Sequence, residues 1–160
     1  MMKFMLSAEL SRKRIVDGVC RLEKKNTYTQ SEQRKNVDRG FSDCSSLMAW
    51  AYMTILRIDI GSDTPEQILS LKGVDIDQPA DGHWHPDAAR LKAGDLLFFR
   101  GSDPTRPFGV GHVEMYIGDG QIIGHNDNGL KGPTIKEMET FCQVRRMENK
   151  SYIKTRRFIF

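Results

Sequence analysis

The chain has 160 residues, of which 39% are hydrophobic and 28% are charged, so it can bury a core and is not disordered by composition. Its 24 basic and 21 acidic residues give a net charge of +3, and no stripe of basic and aromatic residues points to nucleic acid. No apolar run approaches the roughly 20 residues that cross a bilayer, and the apolar start is too short for a signal peptide. We therefore predict a single domain over residues 1–160, made in the cytoplasm and not inserted into a membrane.

Helices are predicted in the first half of the chain. Apolar residues at helical spacing predict one amphipathic helix over residues 7–25, with Cys20 on its buried stripe, and a second over residues 44–57. Ser42 or Asp43 can cap the second helix. Pro65 favours the start of a short third helix.

The second half changes to strand-like patterns. Residues 95–99 form a short apolar run, and residues 112–117 and 121–125 predict a hairpin around Gly118-Asp119-Gly120. Residues 73–90 are rich in loop formers, and residues 152–160 predict a closing strand. Helices followed by an antiparallel sheet indicate an α+β fold.

Cys44 is the candidate nucleophile among three cysteines. An odd number of cysteines without a secretion signal argues against a disulfide framework. Cys44 lies where a polar loop turns into a helix, and the free N–H groups of a helix start stabilise a thiolate. Cys142 has no base-rich surroundings and is predicted to be buried.

A cysteine nucleophile needs a base, and two histidines are candidates. His112 begins a strand directly after Gly109 and Gly111, which permit close approach of another segment. His125 ends the next strand, so the hairpin brings it near His112. Together with Cys44 these residues form a possible triad. Each histidine could equally be structural, as a half-buried strand residue or a loop-end residue.

Three segments resemble the NlpC-type cell-wall cysteine peptidases. They are the nucleophile motif Asp43-Cys44-Ser45-Ser46-Leu47, the strand Leu91-Lys-Ala-Gly-Asp95-Leu-Leu-Phe-Phe99 and the base-bearing strand Gly111-His112-Val-Glu-Met-Tyr116-Ile-Gly-Asp-Gly120. They occur in the order of the family. The resemblance implies a papain-like α+β fold, with N-terminal helices packed on a central antiparallel β-sheet, and it makes Cys44 the nucleophile and His112 the base.

The resemblance also implies contacts with substrate. Tyr28 lies upstream of the cysteine, as a family tyrosine that lines the substrate site does. Asp43 and Ser45 match motif neighbours that can contact the amino group of the substrate. Trp84, in the segment His83-Trp84-His85, is predicted to pack at the site edge or to contact substrate. No metal and no cofactor is predicted, because carboxylate or cysteine partners at ligand spacing do not accompany the two histidines.

The third catalytic residue departs from the family pattern. The family commonly places it twelve positions after the base, and that position is Gly124 here. His125 is the first candidate, reached through a bulge at Gly124, while Asn126 and Asp127 are alternatives, because any of the three can fix the tautomer of His112.

The implied activity is hydrolysis of an amide bond in the stem peptide of peptidoglycan, by a monomer. A γ-D-glutamyl–diamino acid endopeptidase is the first prediction, and an N-acetylmuramoyl-L-alanine amidase is the alternative. An acyltransferase or deacylase would need an apolar channel, and an idle cell-wall-binding module would not need Cys44 with His112. Without a signal peptide, the chain is expected to reach the wall by release, as a phage lysin is, or by injection.

Overall fold

The computed structural model describes residues 2–79, 84–126 and 131–160, with side chains from residue 7 onward. Within these ranges the helices are α1 (Met2–Cys20), α2 (Cys44–Ala51), α3 (Thr64–Leu69) and α4 (Met138–Met147). A π-helical turn, Tyr52–Leu56, continues α2. None of these helices combines the length and the apolar character that a bilayer crossing requires.

The strands form a short parallel pair and a six-stranded antiparallel sheet. The pair consists of β1 (Thr27–Tyr28) and β2 (Phe41–Ser42). The sheet consists of β3 (Val74–Asp77), β4 (Leu96–Arg100), β5 (Val110–Gly118), β6 (Gln121–Gly124), β7 (Thr134–Glu137) and β8 (Tyr152–Arg157). Its strand order is β3-β8-β4-β5-β6-β7. The predicted α+β fold with a central antiparallel sheet is confirmed.

The two faces of the sheet bury different side chains, because neighbouring residues of a strand point in opposite directions. One face packs on α1 and α2 and carries Leu96, Phe98, Val113, Met115 and Ile123. The other face packs on α4 and carries Leu97, Phe99, Tyr116 and Ile122. Helix α2 therefore reaches the sheet on one side, while α4 covers the side that also holds His112.

Several boundaries differ from the predicted ones. Helix α1 ends at Cys20, five residues early, because residues 21–25 form turns that lead into β1. Cys20 is consequently half-buried, whereas Cys142 is fully buried as predicted. The predicted closing strand, β8, lies inside the sheet between β3 and β4. Strands β3 and β7 and helix α4 were not predicted.

The hairpin of β5 and β6 places the candidate site. Its turn has positive φ at all three positions of Gly118-Asp119-Gly120, the conformation for which the turn was predicted. Met115 lies opposite Ile123 across the hairpin. This register sets which side chains of the two strands share a face near His112.

Candidate active site

Cys44 is the first residue of α2, and the helix start is tightly capped. The Asp43 carboxylate accepts the N–H of Ser46 at 2.8 Å, and the Ser46 hydroxyl accepts the N–H of Asp43 at 2.8 Å. This reciprocal capping box satisfies two N–H groups that a helix start leaves free. Asp43, one of the two residues predicted to cap this helix, is therefore the cap. Cys44 follows it with 6% of its surface exposed.

The surroundings of Cys44 disfavour its thiolate form. Burial raises its pKa to about 12, and the charges of Asp43 and Glu114 act in the same direction. The N–H groups of Val113 and Ser45 oppose this effect by donating to the sulfur, but they do not outweigh it. Burial thus opposes the thiolate that the helix start was expected to stabilise, so a base that removes the proton would assist nucleophilic attack.

His112 lies one residue before the amide that faces the sulfur of Cys44. Gly111 precedes it, and a Cβ atom built there would strike the backbone of Gly101, so only glycine permits this close approach. The imidazole is 6% exposed and packs against Phe99 and Phe141, with ring centroids 6.0 and 5.9 Å away. Burial lowers its pKa below 6.5, more than the neighbouring Glu114 raises it, which favours the neutral imidazole.

Glu114 is the hydrogen-bond partner of His112. Its Oε2 lies 2.5 Å from Nε2 of His112, and its Oε1 lies 2.6 Å from Nζ of Lys136. Burial of this fully enclosed carboxyl raises its pKa, but Lys136 and His112 together lower the pKa by more. The net effect is a lowered pKa, which favours the ionised form of Glu114. Neither Glu114 nor Lys136 was among the residues predicted for the site.

The structure places His125 away from the orienting position. Its Nδ1 lies 2.7 Å from the hydroxyl of Ser42. Its ring packs edge-on against Tyr28, with the two ring centroids 5.2 Å apart. Burial lowers its pKa to about 4. The predicted pairing of His125 with His112 is thus replaced by a pairing with β2, because position 125 has the opposite parity to position 124 along the strand.

The two alternatives to His125 have different outcomes. Asn126 lines the same pocket as His112, and its buried Oδ1 lacks a hydrogen-bond partner among the described residues. Asp127 lies outside the described residues. In the described part of the chain, the contact to Nε2 of His112 is therefore made by Glu114.

Two pockets form one cleft across the candidate site. The first has a volume of about 440 Å³ and is lined by Asp43, Cys44 and Ser45. The second has a volume of about 510 Å³ and is lined by Tyr28 and His112. Both pockets share Gln30, Arg106 and Gly111 in their walls. Cys44 and His112 therefore line adjoining parts of one cleft.

Arg34 holds the polar wall beside Cys44. Its Nε donates to Oδ2 of Asp43 at 2.8 Å, and its Nη2 donates to the hydroxyl of Ser45 at 3.1 Å. Arg34 lies in a polar, irregular stretch without periodicity, so the sequence carried no signal for it. The carboxylate of Asp43 thus caps α2 and also pairs with the guanidinium of Arg34. It is therefore less available to bind the ammonium group of a substrate.

Trp84 packs against α4 instead of lining the cleft. The guanidinium of Arg146 lies 4.9 Å over its ring, and the ring joins the core under α4. His83 lies outside the described residues. In the part of the chain that the structure describes, no three His, Cys, Asp or Glu side chains are grouped as a metal site would require.

The chain is similar to known cell-wall enzymes over part of their length. It is 29% identical over 103 residues to a peptidoglycan DL-endopeptidase, CwlO, of Bacillus licheniformis, covering 64% of this chain and 19% of that protein. It is 28% identical over 101 residues to the bifunctional muramidase/DL-endopeptidase CwlT of Bacillus subtilis, covering 63% of this chain and 26% of that protein. The chain thus spans about a fifth to a quarter of the length of these relatives.

A solved structure has the same fold. NlpC2 from Trichomonas vaginalis superposes with a TM-score of 0.67 at 23% identity, over 94% of this chain and 47% of that one. The model of the NlpC/P60 family matches residues 26–157, which include Cys44, His112 and Glu114. The chain belongs to the NlpC/P60 family and has its papain-like α+β fold.

Proposed function

We propose that this NlpC/P60 domain hydrolyses an amide bond in the stem peptide of peptidoglycan, with Cys44 as nucleophile and His112 as general base and acid. One observation carries the proposal: the sulfur at the start of α2 faces the amide of Val113, directly after His112, and both side chains open onto one cleft. Two relatives whose names describe DL-endopeptidases support the choice of substrate.

The reaction begins with proton transfer to His112. Because Nε2 of His112 faces Glu114, Nδ1 is the nitrogen that takes the proton of the Cys44 thiol as the sulfur attacks the amide carbon. The N–H of Cys44, which takes no part in the capping box of α2, stabilises the oxyanion. His112 then donates the proton to the leaving amine and activates the water that releases the acyl group from Cys44.

The charges in the cleft favour one bond. Since His112 protonates the leaving amine, the residue that leaves occupies the pocket beside His112, and the acyl part occupies the pocket beside Cys44. The His112 pocket contains charges of both signs, from Asp103, Arg106, Arg145, Glu148 and Lys150. The charged side chain of a diamino acid fits this lining better than the uncharged side chain of L-alanine. We therefore infer cleavage between γ-D-glutamate and the diamino acid.

Digestion of purified sacculi tests the proposal. We expect new amino termini on the diamino acid, identified by mass spectrometry, and no fragments from the Cys44→Ala variant. New amino termini on L-alanine would replace the endopeptidase with the amidase. Intact sacculi that bind the protein, without any new terminus, would overturn the enzyme assignment in favour of a wall-binding module.

A further inference from the structure

The side chain of Glu114 occupies the space that a side chain at position 124 would fill. Met115 lies opposite Ile123, so one step along the same register position 114 faces position 124 on β6. A Cβ atom built on Gly124 would overlap both carboxylate oxygens of Glu114. The absence of a side chain at 124 is therefore what lets the carboxylate reach Nε2 of His112.

We propose that Glu114 is the positioning residue for His112, and that β5 supplies this carboxylate itself because position 124, opposite it on β6, is glycine. This inference rests on the proposed function for its catalytic meaning. Its geometric basis is independent of substrate, since the contact between Glu114 and His112 is present in the free protein.

The chemistry of an ionised carboxylate defines the role. A carboxylate only accepts hydrogen bonds, so Nε2 of His112 carries the proton of the neutral ring and Nδ1 is left bare to act as the base. The same charge stabilises the imidazolium that forms after His112 takes the proton of Cys44. Glu114 thus sets both the tautomer and the proton affinity of His112.

Lys136 fixes the carboxylate in place. Its ammonium donates to Oε1 of Glu114 at 2.6 Å and to the carbonyl oxygen of Gly124 at 3.1 Å. Both oxygens of Glu114 are therefore occupied, one by Lys136 and one by His112. A carboxylate held at two points allows little rotation, so the imidazole plane is set by β5, β6 and β7 together.

Three changes separate a positioning role from a structural ion pair. Glu114→Gln keeps the shape and removes the charge, and we expect kcat/KM on sacculus fragments to fall about 100-fold. Gly124→Ala pushes the carboxylate away, and we expect a fall of about tenfold. Glu114→Gly combined with Gly124→Glu returns the carboxylate from the other strand, and we expect it to recover most of the loss of Glu114→Gly alone.

A second measurement needs no substrate. The rate at which iodoacetamide alkylates Cys44 can be followed peptide by peptide as a function of pH. The limb of this pH profile in which the rate changes with the protonation of His112 reports the ionisation of that ring. The charged groups that act on His112 are Glu114, Lys136 and Arg145. Removing the one negative charge among them lowers the proton affinity of the ring, so in Glu114→Gln the limb that reports His112 moves to lower pH.

Glu139→Gln is the matched control, because this glutamate lies on α4 with 63% of its side chain exposed. It should leave both kcat/KM and the pH profile at parent values. The inference fails if Glu114→Gln retains the parent kcat/KM and pH limb, or if the exchanged double variant is no better than Glu114→Gly. A parent protein whose Cys44 shows the Glu114-dependent limb but leaves sacculi intact would refute the proposed function and uphold the role of Glu114.

Discussion

His112 and His125 are two buried histidines near one edge of the same hairpin, yet their partners differ in kind. His112 contacts an ionised carboxylate and lines the cleft, whereas His125 contacts the hydroxyl of Ser42 and supports Tyr28. Both imidazoles are almost fully enclosed. Residue type alone therefore does not distinguish the two histidines; the neighbouring charge and the position on the cleft do, and they support His112 as the proposed base.

The electrostatic consequence follows from these partners. Burial lowers the pKa of both rings, because a charged imidazolium loses its hydration. For His112 the adjacent Glu114 opposes burial through a hydrogen bond and a charge. For His125, Asp43 opposes burial only through its charge, and the pKa falls to about 4. His112 thus has a charged partner that stabilises its protonated form, whereas His125 has a hydroxyl at its Nδ1.

The largest contrast is expected from replacing each histidine by glutamine. His112→Gln removes the base, so kcat/KM for peptidoglycan fragments should fall about 1000-fold, within the range for general acid–base catalysis. His125→Gln removes only a support of Tyr28, and its kcat/KM should fall less than tenfold. Equal losses in the two variants, both folded by circular dichroism, would contradict the assignment of the base.

The sequence predicted the elements that local signals define. The start of α2 has a capping residue, the hairpin has a turn with suitable residues, and both lie where predicted. Strand β7 was missed because its four residues, Thr134–Glu137, include a single apolar side chain. Helix α4 does carry apolar residues at helical spacing, at Met138, Phe141 and Cys142, so its signal was present in the sequence and was overlooked. The place of β8 inside the sheet depends on pairing with β3 and β4, which no local signal specifies.

The site was predictable in part for the same reason. Cys44 and His112 carry their own local patterns, but Glu114 gains its role only from the strand beside it. The spacing His112-Val113-Glu114 places both polar side chains on one face of a strand, which is a usable signal. It became decisive only with the register that sets Gly124 opposite Glu114.

The next largest effect is expected from removing Lys136, the cation that pairs with Glu114 beside His112. Lys136→Met leaves Glu114 as a buried charge without its cation, so the free energy of unfolding should fall by about 3 kcal/mol. Urea denaturation at pH 7 measures it, with Lys13→Met, an exposed position on α1, as the control. An unchanged midpoint would show that Lys136 does not stabilise the carboxylate.

Acid should destabilise the protein partly through His125. Because its pKa is about 4 in the folded state and about 6.5 in the unfolded chain, the unfolded chain binds more protons between these values. Stability present above pH 6.5 is therefore lost as the pH falls toward 4, and this histidine accounts for about 2 kcal/mol at pH 4.5. Urea denaturation at pH 7 and 4.5 should show a smaller decrease for His125→Gln than for the parent protein.

The smallest effect is expected from removing the contact between Ser42 and His125. Ser42→Ala removes the hydroxyl that contacts Nδ1 of His125 and also accepts from Asn26, at a cost of about 1 to 2 kcal/mol for buried polar groups left without a partner. Because this network contacts the ring of Tyr28 and includes neither Cys44 nor His112, the pH limb of Cys44 alkylation should stay at its parent position. A shift of that limb in Ser42→Ala would show that His125 acts on the reacting pair, and the distinction between the two histidines would then be lost.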